Sequence, residues 1–199
     1  MNKLRKPFLA LLTLSLILLC GCAGSSSEPP ANADSETGTE SDAPVQDGAS
    51  SEEESSPIFI TFEGTDLEGN TISQEVFSQS KLTMVNVWAT YCNPCLEEMP
   101  GLGGLAAEYD RSEFQIIGIV SDVWEGENQD LVESLVQQTR ANYPHLLVNS
   151  SILDALLADV TAVPTTFFFD GEGAYLGGVV GSAEKSTWEE LINELLEEL

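Results

Sequence analysis

A pair of cysteines two residues apart, set directly behind a run of strand-forming residues, constrains this chain more than any other feature. The run 82–87 reads LTMVNV, and the segment 88–95 that follows reads WATYCNPC. Where a buried strand gives way to a helix in this manner, Cys92 lies at the helix N-terminus and Cys95 lies one turn inside it, which is the geometry of a reversible dithiol. Further on, the segment 163–170 reads VPTTFFFD, in which a proline opens an apolar strand. Together the two segments predict thiol-disulfide exchange.

Other uses of the cysteine pair fit the sequence less well. A zinc site needs four ligands, and the mature domain offers Cys92, Cys95 and a single histidine, His145. Haem attachment needs a histidine directly after the second cysteine, where Leu96 stands. A purely structural disulfide across three residues would close almost no chain and so stabilise little, although this reading remains open. We therefore expect redox chemistry with neither a metal nor a cofactor.

The first residues of the chain predict export and a lipid anchor. A basic start precedes the run 8–19, which is apolar except for one threonine and one serine, as in a secretory signal. The run is too short to span a bilayer, which needs about 20 residues. It ends in a segment resembling a bacterial lipobox, with cleavage expected between Gly21 and Cys22 and the lipid on Cys22; Cys20 leaves with the signal. A plain secretory signal with incidental cysteines is the alternative.

Composition divides the rest of the chain at residue 57. The segment 22–57 is rich in Ser, Glu, Asp, Gly, Ala and Pro and contains no aromatic residue, so we expect a disordered acidic tether. The remaining residues, 58–199, are enough for one domain with a full core. This domain has 24 acidic and four basic residues, a net charge of about −20, which argues against binding nucleic acid. We expect a monomer held at the extracytoplasmic face of the cell membrane by its lipid alone.

Hydrophobic patterns within 58–199 alternate between strands and helices. Helical spacing joins Leu131, Leu135, Val136 and Thr139, and recurs from Trp188 to Leu199 behind a capping box of Ser186 and Glu189. The predicted strands, some separated by short turn clusters, are 59–62, 71–72, 82–88, 114–120, 166–169 and 174–180. Strands that alternate with helices indicate a mixed α/β sheet, whose last two strands are antiparallel because a short turn joins them.

The helix that carries the cysteines contains residues that disfavour a helix. Pro100 removes one backbone hydrogen bond, and Gly101, Gly103 and Gly104 each cost up to about 1 kcal/mol in a helix interior. We therefore expect this helix to be loose or bent just past the cysteines. The sequence assigns the glycines no function.

These motifs together resemble the thioredoxin superfamily, and within it the membrane-tethered TlpA/ResA-like thiol-disulfide reductases. The resemblance rests on Trp88 four residues before Cys92, the Cys-x-Pro-Cys pair, the Glu98-Met99-Pro100 tail and Val-Pro-Thr at 163–165. It implies a thioredoxin fold, with a central mixed β-sheet flanked by helices and an N-terminal β-hairpin. It also implies a central insertion over 128–158, with an extra helix and a short strand around 146–148.

The resemblance also implies roles at the site. Cys92 is the attacking nucleophile and Cys95 the resolving thiol, which agrees with their expected places on the helix. The bond between Val163 and Pro164 is expected to be cis, leaving backbone free to take a substrate segment by strand-like hydrogen bonds. The residues expected to contact the substrate are Trp88, Tyr91, Pro94, Val163 and Pro164.

The position of an acid near the sulfurs determines which group can accept the proton of the resolving thiol. Thioredoxin has a buried aspartate at the position matching Asn86, whereas the TlpA/ResA-like group has a glutamate that matches Glu98. We expect Glu98 to lie close to both sulfurs under the cover of Trp88, with a raised pKa, and to accept the proton of Cys95. Its neighbour Glu97 is expected to be solvated and without a role.

The direction of electron flow follows from what is missing around Cys92. No basic residue flanks it, which argues against the stabilised thiolate of a strong oxidant and favours a reductase. The resemblance implies electrons from a CcdA-type membrane thiol carrier, passed to oxidised extracytoplasmic proteins such as apocytochrome c, a methionine sulfoxide reductase or a misoxidised secreted protein. The alternatives are a thioredoxin-fold binding lipoprotein and a thiol peroxidase of the peroxiredoxin type; Ala89 stands where a peroxiredoxin would have its threonine.

Overall fold

The structure is a computed structural model, and it describes residues 56–199. The predicted signal peptide, the predicted lipidation site Cys22 and nearly all of the predicted tether lie outside the described residues.

Strands and helices alternate along the described chain. The strands are β1 (Glu63–Thr65), β2 (Thr71–Ser73), β3 (Leu82–Trp88), β4 (Phe114–Trp124), β5 (His145–Val148), β6 (Thr165–Asp170) and β7 (Tyr175–Val180). The helices are α1 (Asn93–Glu108), α2 (Asp130–Thr139), α3 (Ser150–Ile152) and α4 (Lys185–Glu198). A 3₁₀ segment (Gln74–Gln79) precedes β3, and α3 runs on into a π-helical turn (Leu153–Leu157).

Five strands form one mixed sheet in the order β5-β4-β3-β6-β7. The strands β3, β4 and β5 are parallel, while β6 is antiparallel to both β3 and β7. The mixed sheet and the antiparallel final pair are confirmed, and β3 begins and ends where the sequence predicted. The short strand of the insertion is confirmed as β5, and the extra helix as α2. The strand β4 is longer than predicted, because it continues past Val120 to Trp124.

The central strand β3 is buried on both faces, and its residues alternate between two cores. Met84 and Trp88 pack in the core that contains residues of α1, α2 and α4. Val85 and Val87 pack in the opposite core, against the N-terminal segment and the π-helical turn. Because side chains alternate along a strand, Asn86 lies on the same face as Met84 and Trp88 and so points toward α1. This places one buried amide under the helix that carries the cysteines.

Three predictions about local structure were wrong in detail. The N-terminal hairpin forms, but its first strand is β1 and not 59–62; Phe59 makes only an isolated bridge to Ala174. The capping box of α4 does not form, since the N-cap is Glu184 and makes no side-chain hydrogen bond. On α2 the predicted residue Thr139 is buried, but Leu131 is exposed and Val132 is buried in its place. The segment before β1 pairs instead with the chain at Ala174 and Tyr175, so tertiary pairing overrode the local strand pattern there.

The helix α1 is continuous across Pro100, so the chain is not broken there. The bend that the sequence predicted just past the cysteines stays a prediction. Packing explains at least one of its glycines. A Cβ atom added at Gly103 would overlap the backbone carbonyl of Arg140, which has a positive φ of 56° at the end of α2. Glycine at this position therefore lets α1 lie directly against the chain that leaves α2, which offsets its poor helix propensity.

Among the described residues, no helix is both long enough and apolar enough to span a membrane.

Candidate active site

The two cysteines lie at the N-terminus of α1 and are joined by a disulfide bond. Cys92 is the N-cap residue, and the backbone N–H of Cys95 points at its Sγ from 3.2 Å. Cys95 is fully buried, whereas Cys92 retains 6% of its surface. A thiolate at Cys92 would be stabilised by this N–H and by the helix dipole, and a partner can reach Cys92 but not Cys95. This geometry supports the roles expected for the two thiols.

The loop before β6 brings a second segment to the attacking sulfur. The Val163–Pro164 peptide bond is cis, as expected, and the carbonyl oxygen of Val163 lies 3.6 Å from Cys92 Sγ. Of the side chains expected to touch a substrate, Tyr91 is 74% exposed and Pro94 is also exposed. Val163 is half-buried and Pro164 is buried. Backbone and side chains of two loops thus meet beside the disulfide.

A shallow pocket opens next to this loop. Its volume is about 280 Å³, and no charged side chain lines it. Tyr91 and Val163 form the side nearest the cysteines, and Leu153 and Leu157 of the π-helical turn form the far side. The pocket is large enough for a single side chain of a substrate segment held at Cys92.

Trp88 is not available to a substrate, contrary to the sequence prediction, because none of its surface is exposed. Its indole Nε1 donates to Nδ1 of His145 at 3.1 Å, and Nε2 of His145 lies 3.0 Å from the carbonyl oxygen of Ala141. These partners assign a neutral imidazole that carries its proton on Nε2. Burial lowers the pKa of His145 to about 4, so the ring stays neutral at physiological pH.

Sequence reasoning considered His145 only as a possible metal ligand and missed its contact with Trp88. A Cβ atom at Gly118, its neighbour across the sheet, would overlap the imidazole. A single histidine in a buried strand opposite a glycine is the signal that could have found it.

Glu98 lies on the buried side of α1, with only 6% of its surface exposed. Its Oε1 accepts from Asn86 Nδ2 at 3.1 Å. Its Oε2 accepts from the backbone N–H of Ala183 at 3.1 Å and from Trp188 Nε1 at 3.3 Å. Burial raises the pKa of Glu98 above its usual range, and the three hydrogen bonds oppose that rise. The raised pKa agrees with the sequence prediction.

The side chain that covers Glu98 is a different tryptophan from the one predicted. The indole of Trp188 on α4 contacts the carboxylate, whereas Trp88 turns to His145. Trp88 was predicted to cover Glu98 because the two residues are close along the chain. The packing of α4 against α1, which brings Trp188 to the carboxylate, could not be predicted from the sequence. Glu97 is exposed, as expected.

Asn86 links the carboxylate to the sheet. Its Nδ2 donates both to Glu98 Oε1 and to Thr166 Oγ1 on β6, each at 3.1 Å. Its Oδ1 has no hydrogen-bond partner among the described residues. The position that holds an acid in thioredoxin therefore holds a donor here, and the acid stands on the helix above it.

No group of three or more His, Cys, Asp or Glu side chains in the range 56–199 is arranged to hold a metal ion.

Comparison with known proteins agrees with this geometry. The family described as "AhpC/TSA family" matches residues 58–174. The thiol-disulfide oxidoreductase ResA of Bacillus cereus strain ZK is 26% identical over 192 residues, which cover 96% of this chain and 99% of that protein. ResA of Bacillus subtilis strain 168 is 31% identical over 116 residues, which cover 58% of this chain and 62% of that protein.

Solved structures show the same fold. A thiol:disulfide interchange protein of the thioredoxin family from Chlorobium tepidum superposes with a TM-score of 0.62 at 23% identity, covering 71% of this chain and 97% of that one. The described residues therefore form a thioredoxin fold.

Proposed function

This chain belongs to the AhpC/TSA family, and from the geometry of its cysteine pair we propose that it is a thiol-disulfide oxidoreductase that reduces disulfides in extracytoplasmic proteins. One observation carries the proposal. The disulfide lies at a helix N-terminus, with Cys95 fully buried and Cys92 keeping 6% of its surface exposed beside Val163. The relatives named as thiol-disulfide oxidoreductases support it.

The reaction begins with the reduced pair. The thiolate of Cys92 attacks one sulfur of a substrate disulfide, so a mixed disulfide forms and the other substrate sulfur leaves as a thiolate. The substrate segment lies along the backbone at Val163, with a neighbouring side chain in the pocket beside Tyr91. In the second step Cys95 gives its proton to Glu98 and attacks Cys92 Sγ. The second substrate sulfur then leaves, and the pair is left as the disulfide seen in the structure.

A reductase fits the surroundings of the pair better than an oxidant. A strong oxidant needs extra stabilisation of its thiolate, and the gap between a thioredoxin-like and a DsbA-like potential corresponds to roughly 7 kcal/mol. The two lysines of the described residues form ion pairs with Glu113 and Glu108, and the hydrogen-bond partners of Cys92 Sγ are backbone groups of Val163 and Cys95. Electrons then come from a reduced dithiol carrier in the membrane, of the CcdA type.

A thiol peroxidase of the peroxiredoxin type is not favoured. Ala89, at the position of the peroxiredoxin threonine, is fully buried and has no hydroxyl to offer a peroxide. The reduction of insulin by dithiothreitol distinguishes an oxidoreductase from a binding module without redox activity. The protein is expected to accelerate that reaction, and a binding module leaves its rate unchanged.

The test of the roles is a trapping experiment. Cys95→Ser is expected to accumulate a mixed disulfide that dithiothreitol releases, whereas Cys92→Ser abolishes exchange, because only Cys92 is reachable. Mass spectrometry of the trapped species then identifies the substrate. Apocytochrome c and a methionine sulfoxide reductase are two of the candidates. Equal trapping by both variants would refute the assignment.

We also propose the division of the chain into a signal peptide (1–21), a lipidated Cys22 with its tether (22–57) and the catalytic domain (58–199). The lipid places the domain at the outer face of the membrane. The mature protein is then expected to partition into detergent, and Cys22→Ala to release it. A Cys22→Ala protein that stays in the membrane contradicts the lipid anchor.

A further inference from the structure

Two glycines of α1 face a lysine from another helix. A Cβ atom added at Gly101 would lie 3.1 Å from Cβ of Lys185, and one at Gly104 would lie 3.5 Å from its Cε. The Lys185 side chain therefore runs along a bare face of α1. At its end, Nζ lies 2.6 Å from both carboxylate oxygens of Glu108. Gly101 and Gly104, which had no function on the sequence alone, thus make room for one extended side chain.

Lys185 also begins the segment that covers Glu98. It is the first residue of α4 and directly follows the loop 182–184. Ala183 of this loop and Trp188 of α4 supply two of the three hydrogen bonds to the Glu98 carboxylate. Both donors lie within three residues of Lys185, so they are close along the chain to the point where Lys185 contacts α1.

A polar pocket of about 260 Å³ lies where the two helices meet. It is lined by Glu98 and Gly101 from α1 and by the loop and Lys185 on the other side. This is the side from which water can reach the buried carboxylate. Whatever holds the loop against α1 therefore also limits the hydration of Glu98.

We infer that Lys185 is a positioning residue for the second step of the reaction. Lying across Gly101 and tied to Glu108, it holds the loop and Trp188 over Glu98 and keeps water from the carboxylate. The inference rests on the proposed function, because it requires Glu98 to accept the proton of Cys95.

The direction of the expected effect follows from the groups around Glu98. They are Glu97 on α1, Glu184 and Lys185 at the pocket, Glu108 at the end of the lysine, and the buried Tyr143. Cys95 precedes Glu98 by three residues on the same helix. Burial is the largest cause of the raised pKa of Glu98. If the loop loosens, water replaces the lost donors and removes part of the burial, so the pKa of Glu98 falls toward its ordinary value.

The experiment follows the decay of the mixed disulfide by stopped flow from pH 5 to 9 in the intact protein. Lys185→Ala and Glu108→Gln both release the loop but change the local charge in opposite senses. Both are expected to lower the pH midpoint of the decay, by a few tenths of a unit to about one unit. Lys185→Arg, which keeps the ion pair, is expected to keep the original midpoint. Formation of the mixed disulfide by Cys92 is expected to be unaffected in all three.

Lys81→Ala is the matched control, because it removes the other described ion pair, with Glu113 at 2.9 Å. Its midpoint is expected to stay that of the unchanged protein. Opposite shifts in Lys185→Ala and Glu108→Gln would show that charge acts through space and overturn the inference. Unchanged midpoints, or an equal shift in Lys81→Ala, would also overturn it. If Glu98→Gln leaves the decay rate of the mixed disulfide unchanged, the proposed role of Glu98 is wrong and the inference fails with it. If Glu98→Gln slows the decay but the Lys185 variants keep the original pH midpoint, only the inference is refuted.

Discussion

Glu98 and His145 are both buried titratable groups, and each is hydrogen-bonded to a tryptophan. Burial nevertheless shifts their pKa values in opposite directions. At Glu98 the three donors favour the charged form while burial disfavours it, so its pKa is raised and the two effects compete. At His145 both ring nitrogens are satisfied in the neutral form, and burial lowers its pKa to about 4. We therefore propose that Glu98 exchanges a proton during turnover, whereas His145 supports Trp88 in its neutral form. Burial alone does not identify a catalytic group; what matters is whether the neighbours favour the charged form.

The largest expected effect comes from removing the acid. Glu98→Gln is expected to slow decay of the mixed disulfide by 10-fold to 1000-fold near neutral pH, on the order of the loss of one proton-transfer group. Formation of the mixed disulfide is expected to stay nearly intact, because it depends on the helix N-terminus. Stopped-flow kinetics of both steps from pH 5 to 9 measure this.

The comparison with His145 supplies the control for this experiment. His145→Leu is expected to change the decay rate far less than Glu98→Gln, since His145 does not exchange a proton. An unchanged decay in Glu98→Gln, or a defect in formation alone, would make Glu98 an ordinary helix residue.

The second prediction concerns stability, where the two groups should give opposite pH dependences. The pKa of His145 is lowered from 6.5 to about 4, so its neutral form contributes stability that is present above pH 6.5 and is lost as pH falls toward 4. The free energy of unfolding of the unchanged protein minus that of His145→Leu is expected to rise by about 3 kcal/mol over this window.

The contribution of Glu98 to stability has the opposite pH dependence. Because its pKa is raised from 4.5, its contribution is present below pH 4.5 and is lost as pH rises through the raised value. The corresponding difference between the unchanged protein and Glu98→Gln is expected to fall with pH. Urea unfolding of the oxidised proteins at several pH values gives both curves. Curves of the same sign would contradict the comparison.

The sequence predicted the cysteine pair, the cis proline, the sheet and the raised pKa of Glu98, because each depends on residues close together in the chain or on a family motif. It did not predict that Trp188 covers Glu98, nor that Trp88 binds His145. These contacts join residues 90 and 57 positions apart, and they depend on where α4 and β5 dock. The glycines of α1 were unexplained for the same reason, since the chain that approaches them comes from Arg140 and Lys185.

The last prediction turns the Asn86 position from a donor into a second acid. Asn86 Nδ2 lies 3.1 Å from Glu98 Oε1, so Asn86→Asp would set two carboxyl groups within hydrogen-bond distance. Two carboxylates this close cannot both ionise at neutral pH, and they hold one proton between them. Glu98, the proposed proton acceptor for Cys95, then stays protonated up to a higher pH. The pH midpoint of mixed-disulfide decay is therefore expected to rise by about one unit or more.

The matched control is Thr166→Val, which removes the other acceptor of Asn86 Nδ2 without adding charge and is expected to leave the midpoint within a few tenths of a unit. A rise in Asn86→Asp with none in Thr166→Val means that Glu98 is shielded enough for a neighbouring charge to control its proton. An unchanged midpoint in Asn86→Asp would mean that water already screens the pair. Glu98 would then be as solvated as Glu97, and the contrast between Glu98 and His145 would no longer explain which of them takes part in catalysis.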